Sequence, residues 1–542
     1  MILEKTYSQK VGLAHRKKYA QFFTPEEVAE VMIDWVLKNE SLRKVLEPAF
    51  GLGVFSRLLL KKKAEVEIKG FDVDPVIFEE ANSSFRDCSN IHLILEDYLF
   101  NDWENKYDGI LCNPPYFKFH DYENKKALEE IKKRLKVNLN GFTNIYTLFL
   151  LKSIYQLNEG GKAAYIIPSE FLNSDYGTFV KEYLLQTNAL KHIIIFDFKE
   201  NIFDDALTTS AILLLSKEEE CSFVSFSTIE NREQFEAIKS QIKNTKTNLS
   251  KNLVLNKELN PNIKWRAYYQ TQQSLKYKNL VPFKSVAKVV RGIATGANKF
   301  FIFNKEKAEK FKIPLDSLLP CITKSKDVDS PFFTSEKFEK LKEANANVYL
   351  FNAGKTPTET DVLNYIQLGE EEGVNKKFLT SRRKPWFINE NRPPSPIWVS
   401  VFNRNKVKFI RNEAEISNLT TFHCIYPKSD LFSNMDVDLL FAYLQTSIAR
   451  EIFSDNRREY GDGLKKFEPN DLNNGLMLDL SQLTDAEKRE IKELYYAYRK
   501  SVMDNVENKG FIEKIERIFK TKYEVETNHN YQTELIGQSV VM

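Results

Sequence analysis

Short apolar segments alternate with amphipathic helical segments between residues 26 and 215, and this alternation constrains the fold more than any other feature of the sequence. Strands are predicted at residues 44–46, 68–71, 91–95, 109–112, 163–167, 192–196 and 210–215. Helices are predicted at residues 26–37, 55–60, 76–82 and 145–157. Thr24 is expected as the N-cap of the first helix, with Pro25 at its first position. The alternation predicts an α/β fold with a doubly wound, mainly parallel sheet, in which ligands bind beyond the carboxyl ends of the strands.

The pattern changes after Lys217, where the alternation ends. We expect a first domain over residues 1–245, including a helix at 232–243, and a polar, basic linker over residues 246–280. Short strands, proline-rich turns and basic clusters then predict a mixed α+β domain over residues 281–480. A helical segment is expected over residues 481–542. Thr484 and Glu487 have the spacing of a capping box at its start.

The charge is distributed unevenly along the chain, although the net charge is only +3. Residues 1–250 carry 32 Lys and Arg against 37 Asp and Glu, whereas the remainder carries 46 against 38. The steepest stretch is 251–300, with 10 basic residues and one acid. This asymmetry indicates a nucleic-acid partner for the second half, and a solvated lysine-rich surface is the alternative.

The five cysteines are scattered, without a CxxC pair or a suitably spaced histidine. This spacing argues against a zinc site and a disulfide framework, and no metal is expected. Neither a signal-peptide core nor an apolar run of about 20 residues is present, so no membrane association is expected. These observations favour a cytoplasmic protein.

The sharpest local signal is the tetrapeptide 113–116, Asn-Pro-Pro-Tyr, directly after the predicted strand 109–112. The lone pair of an aromatic amine is delocalised into its ring, so the amine attacks poorly. Two acceptors that hold its hydrogens would localise that lone pair, and Asn113 with a backbone carbonyl held by Pro114 can supply them. Tyr116 offers a stacking face for a base taken out of a helix.

Three earlier strand ends carry the residues that a nucleoside ligand needs. Gly51 and Gly53 allow close approach of the backbone after the first strand. A carboxylate follows the second strand, where it can chelate a ribose diol; Asp72 is favoured over Asp74 by its offset from the strand. Asp97 follows the third strand and can accept a hydrogen bond from an adenine amino group. A cofactor containing adenosine is therefore predicted at this edge of the sheet.

In this order the motifs resemble those of the gamma-class, TaqI-like DNA adenine-N6 methyltransferases of restriction–modification systems. The resemblance implies a Rossmann-like class I methyltransferase domain, S-adenosylmethionine as cofactor, and double-stranded DNA as substrate. It implies catalytic roles for Asn113, Pro114, Tyr116 and Phe203, the last as the second aromatic face for the base. The implied cofactor-binding residues are Thr24, Glu47, Ala49, Gly51, Gly53, Asp72, Asp97, Tyr98 and Asn113.

The resemblance continues into the second half, where residues 291–301, 382–386 and 460–469 are similar to landmarks of the family's DNA target-recognition domain. It implies DNA binding by Arg291, Lys299, Arg382, Arg383, Arg404, Lys406, Arg457 and Lys465. A solvated strand face is the alternative for the alternating basic residues from 404 to 408. A monomer is expected, together with a cognate endonuclease that acts on the same DNA site without necessarily forming a complex.

Three other functions remain open at this stage. The same tetrapeptide occurs in methyltransferases that act on RNA or on protein glutamine, and a non-catalytic DNA-binding subunit could keep the fold. A fused nuclease is not expected, because only about 40 residues precede the Gly-rich turn. Asn rather than Ser at position 113 favours N6-methyladenine over N4-methylcytosine as the product.

Overall fold

A computed structural model describes residues 2–116, 125–137, 139, 143–174, 176–196, 210–218, 223–244, 252–270, 272–390, 392–403, 407–428, 435–456, 458–460 and 464–525. The chain forms two compact units. The first comprises residues 1–271 with 459–463, and the second comprises residues 272–458 with 464–542.

The first unit is built from alternating helices and strands. Its helices are α1 Ile2–Lys10, α2 Leu13–Lys18, α3 Glu26–Val36, α4 Val54–Lys62, α5 Pro75–Ser84, α6 Lys125–Leu135, α7 Ile145–Gln156, α8 Gly177–Gln186, α9 Arg232–Asn244 and α10 Arg266–Tyr269. Its strands are β1 Lys44–Glu47, β2 Glu67–Asp72, β3 Ile91–Leu95, β4 Tyr107–Cys112, β5 Leu157–Pro168, β6 Leu190–Phe196, β7 Ser210–Ser216, β8 Phe223–Ile229 and β9 Asn252–Leu255.

All nine strands belong to one sheet, in the order β3-β2-β1-β4-β5-β7-β6-β8-β9. Strands β1 to β5 pair in parallel, β6 pairs in parallel with β8, and β7 runs antiparallel between β5 and β6. The strand order reverses at β1 and β4, which creates a crevice at their carboxyl ends. The predicted doubly wound α/β fold is confirmed.

Apolar helices cover both faces of this sheet. On one face α3 buries Val28, Met32 and Ile33 in a cluster with α4 and α9. On the other face α7 is buried around nearly its whole circumference, with Thr147, Lys152, Ser153 and Gln156 buried among its apolar residues. The start of α3 differs from the prediction, because Pro25 is itself the N-cap and no side chain caps the helix. Thr24 is buried and has a different partner, described below.

The stretch 246–280, expected as a linker, is largely part of the folded units. Strand β9 extends the sheet by pairing with β8, and Trp265 is fully buried in the core of the first unit. Its indole Nε1 donates to the carbonyl of Asn260. Burying a whole tryptophan side chain removes a large apolar area from water, so this segment folds with the first unit. The first unit accordingly extends to residue 271.

The second unit mixes short strands with helices. Its helices are α11 Phe283–Val286, α12 Asn298–Phe301, α13 Lys305–Lys310, α14 Ser335–Glu343, α15 Thr360–Glu371, α16 Val437–Gln445, α17 Ser447–Ser454, α18 Pro469–Asn473, α19 Asp485–Met503 and α20 Gly510–Tyr523. The strands that follow β9 are β10 Leu280–Pro282, β11 Ala287–Arg291, β12 Ile302–Phe303, β13 Leu318–Ile322, β14 Phe332–Phe333, β15 Tyr349–Phe351, β16 Ile397–Ser400, β17 Phe402–Asn403, β18 Phe409–Asn412, β19 Ser417–Asn418, β20 Phe422–Pro427, β21 Arg458–Tyr460, β22 Leu464–Lys466 and β23 Leu476–Leu478.

The second unit is organised around a five-stranded sheet in the order β11-β20-β16-β18-β14 and a four-stranded sheet in the order β12-β15-β13-β19. Helices α16, α17, α19 and α20 share one apolar cluster with residues of the five-stranded sheet. The C-terminal helices therefore belong to the core of this unit. Thr484 and Glu487 form the predicted capping box at the start of α19, with the Glu487 amide donating to the Thr484 hydroxyl at 3.2 Å.

Within the described ranges, no helix has the length and apolar character needed to cross a membrane. The same residues contain no group of His, Cys, Asp and Glu side chains arranged to hold a metal ion. The four cysteines among them, Cys88, Cys112, Cys321 and Cys424, are free thiols.

Candidate functional site

A pocket opens at the carboxyl ends of β1 to β4 in the first unit, with a volume of about 940 Å³ including the space open to solvent. Each of these four strands contributes the residues that directly follow it. The predicted site residues that line the pocket are Thr24, Glu47, Ala49, Gly51, Asp72, Asp97, Tyr98 and Asn113. Residues predicted from four separate motifs thus lie around one cavity.

The Gly-rich turn between β1 and α4 needs two left-handed residues, Gly51 with φ +57° and Gly53 with φ +69°. A side chain at Gly53 would lie 2.6 Å from the rings of Phe50 and Phe85, so that position has no room for one. At Gly51 a Cβ would meet only Ile77, at 4.0 Å. The Gly51 amide donates to Asp72 Oδ2 at 2.9 Å, which fixes the turn to the end of β2.

Glu47 is buried, and only one of its two carboxyl oxygens has a hydrogen-bond partner. The Ser56 hydroxyl donates to Oε2 at 2.5 Å, whereas Oε1 is buried without a hydrogen-bond partner. Burial raises the pKa of Glu47 to about 8, and the bond from Ser56 opposes that rise. An unsatisfied buried oxygen in a pocket wall suits a cationic ligand group, because an ion pair would compensate the cost of burying the charge.

The two candidate ribose ligands at the end of β2 have different surroundings. Asp74 is fully buried outside the pocket lining, where His15 Nε2 lies 2.8 Å and Gln21 Nε2 lies 2.6 Å from its Oδ2. It also caps α5. Asp72 faces the pocket, and burial raises its pKa while bonds from backbone amides lower it. The geometry favours Asp72 as the ligand and gives Asp74 a structural role.

Asp97 and Tyr98 begin the loop that follows β3. Both line the pocket, and the Tyr98 ring is buried with its hydroxyl donating to Gln156 Oε1 at 2.6 Å. The fully buried Lys152 of α7 donates to the carbonyls of Tyr98 and Asn101. Its Nζ lies 4.0 Å from the centroid of the Tyr98 ring, and burial lowers its pKa to about 7. One buried lysine thus connects α7 to the loop that carries Asp97.

Asn113 follows β4 with its side-chain amide held in one orientation. Its Nδ2 donates to the Phe22 carbonyl at 2.8 Å and to the Thr24 hydroxyl at 3.0 Å. Both amide hydrogens are therefore used, and the carbonyl oxygen Oδ1 remains to accept a hydrogen bond. The next residue, Pro114, is buried.

Tyr116 and Phe22 place two aromatic rings near Asn113. Their rings are nearly parallel, at 14°, with centroids 6.3 Å apart. The Tyr116 hydroxyl donates to the Ile166 carbonyl at 3.0 Å, and Tyr146 packs edge-on at 6.4 Å. Phe203, predicted as the second aromatic face, lies outside the described residues.

The N-terminal segment contributes pocket residues that the motifs did not predict, including Glu4 and Tyr19. The fully buried Tyr7 of α1 packs with Leu52 of the Gly-rich turn. Helices α1 and α2 carry no strand-end pattern, so among the predicted residues only Thr24 indicated this wall of the pocket.

The predicted DNA-binding residues of the second unit differ in their exposure and in their contacts. Lys299 and Arg382 are exposed, and Arg291 is exposed but pairs with Glu468 at 2.7 Å. Arg383 donates to the carbonyls of Thr295, at 3.1 Å, and Ala294. Segments 291–299 and 382–386 are therefore joined through Arg383. Arg404, Lys406 and Arg457, and the side chain of Lys465, lie outside the described residues.

Comparison with known proteins gives matches along most of the chain. The family described as N-6 DNA Methylase matches residues 7–276, and the C-terminal domain of the type II methyltransferase M.Eco57I matches residues 264–510. The type II methyltransferase M.AccI of Acinetobacter calcoaceticus is 54% identical over 522 residues, 96% of each chain. M.XamI of Xanthomonas campestris pv. amaranthicola is 21% identical over 85% of each chain.

Similar folds occur among solved structures. The DrdV–DNA complex solved by cryo-electron microscopy matches 91% of this chain and 59% of its own, with a TM-score of 0.51 and 14% identity. A nuclease-deletion mutant of the type ISP restriction–modification enzyme LlaGI matches 88% of this chain and 54% of its own, also with a TM-score of 0.51 and 14% identity. The likeness to M.AccI over nearly the whole of both chains favours a DNA methyltransferase over the RNA, protein-glutamine and non-catalytic alternatives.

Proposed function

The chain belongs to the N-6 DNA methylases of type II restriction–modification systems and is an adenine-specific DNA methyltransferase, and from that premise we propose which residues do the chemistry. The target adenine is turned out of double-stranded DNA and presents its N6 amino group to Asn113. The first unit binds S-adenosylmethionine and holds the base, and the second unit binds the DNA. In this division of roles the first unit ends at residue 271.

The observation that carries the proposal is the fixed amide of Asn113. Two acceptors use its amide hydrogens, so its oxygen can accept one hydrogen of the adenine N6 group. We assign the Pro114 carbonyl as the second acceptor. Holding both hydrogens draws N6 from planar toward tetrahedral geometry and localises the lone pair that attacks. Because the acceptors are in place beforehand, no reorganisation is needed during the reaction.

The base is held by stacking. Tyr116 offers its ring to the extruded adenine, and its bond to the Ile166 carbonyl keeps the ring in position. The Phe22 ring lies parallel to Tyr116 and its carbonyl also orients Asn113, so this residue serves both binding and chemistry. Phe203 is proposed as the second aromatic face for the base, and the family resemblance is the support for this assignment. Stacking on an aromatic ring compensates part of the cost of unpairing the base.

The pocket fits S-adenosylmethionine by the chemistry of its walls. The unpaired Oε1 of Glu47 suits the ammonium of a methionine group, and Asp72 suits a ribose diol. Asp97 is assigned to the adenine amino group, with Ala49, Tyr98 and the Gly-rich turn around the ligand. When bound, the cofactor supplies an electrophilic methyl group on a sulfonium.

DNA contacts are assigned to the second unit. Lys299 and Arg382 are exposed cations suited to phosphates, whereas Arg383 braces the loops that present them. Arg291, Arg404, Lys406, Arg457 and Lys465 keep their proposed DNA-binding roles. We also propose a monomer that acts in the cytoplasm, with a cognate endonuclease cutting the unmethylated site.

Replacing Asn113 by Ala tests the mechanism. Because the lost interaction acts mainly in the transition state, methyl transfer should fall by at least about a hundredfold, whereas the dissociation constants for cofactor and DNA change little. Transfer is measured as N6-methyladenine by mass spectrometry of digested DNA, and binding by calorimetry. Asn82→Ala, on the exposed face of α5, is the matched control. Turnover near that of the native protein in Asn113→Ala would disprove the assignment.

A further inference from the structure

An exposed aromatic ring lies in a basic loop of the second unit. This basic loop, residues 376–384, contains five Lys and Arg residues and no acid. Phe378 within it is 59% exposed and Phe402 of the same unit is 57% exposed, whereas Phe300, Phe301, Phe303 and Phe351 are at most 5% exposed. Leaving a large apolar ring in water costs free energy, which the unit avoids at those four buried positions.

The basic loop is held rigidly on both sides of Phe378. The fully buried Thr380 donates through its hydroxyl to the carbonyls of Val374 and, at 3.1 Å, Lys377. Leu379 packs so closely on Gly296 that a Cβ there would lie 2.7 Å from it. Arg383 anchors the far end through Thr295. The exposure of Phe378 is therefore a fixed feature of a braced loop.

Arg382 lies directly over Phe378, with its Cζ 3.7 Å from the ring centroid. This cation–π contact restrains the ring and places a positive charge beside it. The acidic end of α15, residues 370–372, precedes the loop, and two of its carboxylates accept from neutral groups: Glu370 accepts from Trp386 Nε1 at 2.9 Å and Glu371 from Gln367 Nε2 at 3.2 Å. Within residues 376–384 themselves, cations are combined with one flat apolar group.

We propose that Phe378 is a stacking wedge that the second unit inserts against the base stack of its DNA, with Arg382 holding the ring. Lysine and arginine contact phosphates, and apolar side chains between base steps unstack them locally, so the combination fits duplex DNA. The wedge lowers the cost of distorting the bound duplex. This inference rests on the proposed binding of DNA by the second unit.

The test uses the full chain and duplexes that carry its methylation site, as mapped by sequencing for N6-methyladenine. A 2-aminopurine base is placed in turn at each position around the target adenine. With the native protein we expect increased fluorescence at one or two steps outside the target, which reports unstacking. Phe378→Ala should abolish that increase and weaken DNA binding about five- to a hundredfold, the range for loss of one stacked base. Phe378→Trp should retain both.

Two further measurements separate the possible outcomes. Phe378→Ala should keep the native salt dependence of DNA binding, because no charge is lost, whereas Arg382→Gln should lower its slope by about 0.9. Leu315→Ala, 68% exposed in the same unit, is the control and should change nothing. Because Phe378 is exposed, its variants should also unfold at the native temperature. Native DNA affinity and unstacking in Phe378→Ala would overturn the wedge, whereas failure of the native chain to bind DNA would overturn the proposed function itself.

Discussion

At the scale of single residues, the pocket of the first unit depends on a few polar atoms whose partners lie far away in sequence. Asn113 is oriented by Thr24, 89 residues away, and Asp72 holds Gly51 across 21 residues. Eight of the residues that line the pocket were predicted, whereas the predicted Gly53, Pro114 and Tyr116 do not line it. Sequence motifs indicate residue types at strand ends. They could not predict that Asn113 uses both amide hydrogens or that Glu47 keeps one oxygen without a partner, because those facts depend on how separate strand ends meet.

Glu47 gives a prediction about pH. Its pKa is about 8 in the folded protein without cofactor, against about 4.3 in the unfolded chain. Between these values the folded state holds one more proton than the unfolded state, so this carboxyl group lowers stability as pH rises from about 4 to 8. Glu47→Gln should therefore raise the melting temperature of the cofactor-free protein at pH 8 and have little effect at pH 4.5. Thermal denaturation across that range measures it, with the exposed Glu40→Gln as control.

From the raised pKa of Glu47 we also expect a proton to be released when the cofactor binds. An ammonium group pairs only with the ionised carboxylate, so S-adenosylmethionine affinity should rise between pH 6 and 7.5, and calorimetry in buffers of different ionisation enthalpy should detect about one released proton. Glu47→Gln should bind weakly and release none. Equal affinity at both pH values in the native protein would contradict the assignment of the ammonium to Glu47.

At the scale of elements, the sequence predicted strands better where the residues are uniformly apolar. All seven predicted segments lie within observed strands, from β1 to β7. Strands β8 and β9 were missed. In β8 the polar Ser225 and Ser227 are buried among apolar neighbours, which removes the expected pattern, and β9 has only four residues. Both strands are specified by pairing with distant partners, which no local pattern reports.

The loop after β3 gives a prediction that links an element to the site. Lys152 of α7 holds this loop through the carbonyls of Tyr98 and Asn101. Lys152→Met keeps a similar length but leaves two carbonyls without their donor, at about 1–3 kcal/mol each. We expect lower thermal stability and a cofactor dissociation constant raised about tenfold or more, with DNA affinity unchanged.

Lys126→Met, exposed on α6, is the matched control for Lys152→Met. The ratio of cofactor to DNA affinity distinguishes a positioning role from general destabilisation, which would weaken both. Equal weakening of both ligands in Lys152→Met would mean that the lysine only stabilises the fold.

At the scale of the whole molecule, two family matches meet at residues 264–276, close to the end of the first compact unit at residue 271. The sequence placed this boundary less well, because residues 246–280 are polar and basic although Trp265 and β9 are part of the first unit. The polar composition of this segment gives no indication that one tryptophan in it is buried. The charge asymmetry follows the same division, with the excess of basic residues after residue 250.

The charge asymmetry predicts that salt affects the two ligands differently. Neutralising about five phosphates gives a slope near −4.5 for log affinity against log salt, so DNA affinity should fall by several hundredfold between about 50 and 200 mM salt. Cofactor affinity should change little, because its one proposed ion pair lies in a pocket wall. Replacing Lys376, Lys377 and Arg382 by Gln should reduce the slope by about 2.7.

The matched control replaces Lys44, Lys61 and Lys63 by Gln. Lys44 begins β1, and Lys61 and Lys63 lie at the end of α4 or just beyond it. Because the pocket is at the end of β1 and the start of α4, these three lysines lie at the opposite edge of the sheet. Removing three charges there leaves the net charge equal to that of the first variant. Its salt slope should nevertheless match that of the native protein, because local neutralisation of phosphates, not total charge, sets the slope. An equal loss of slope in both variants would mean that the basic loop has no special contact with DNA.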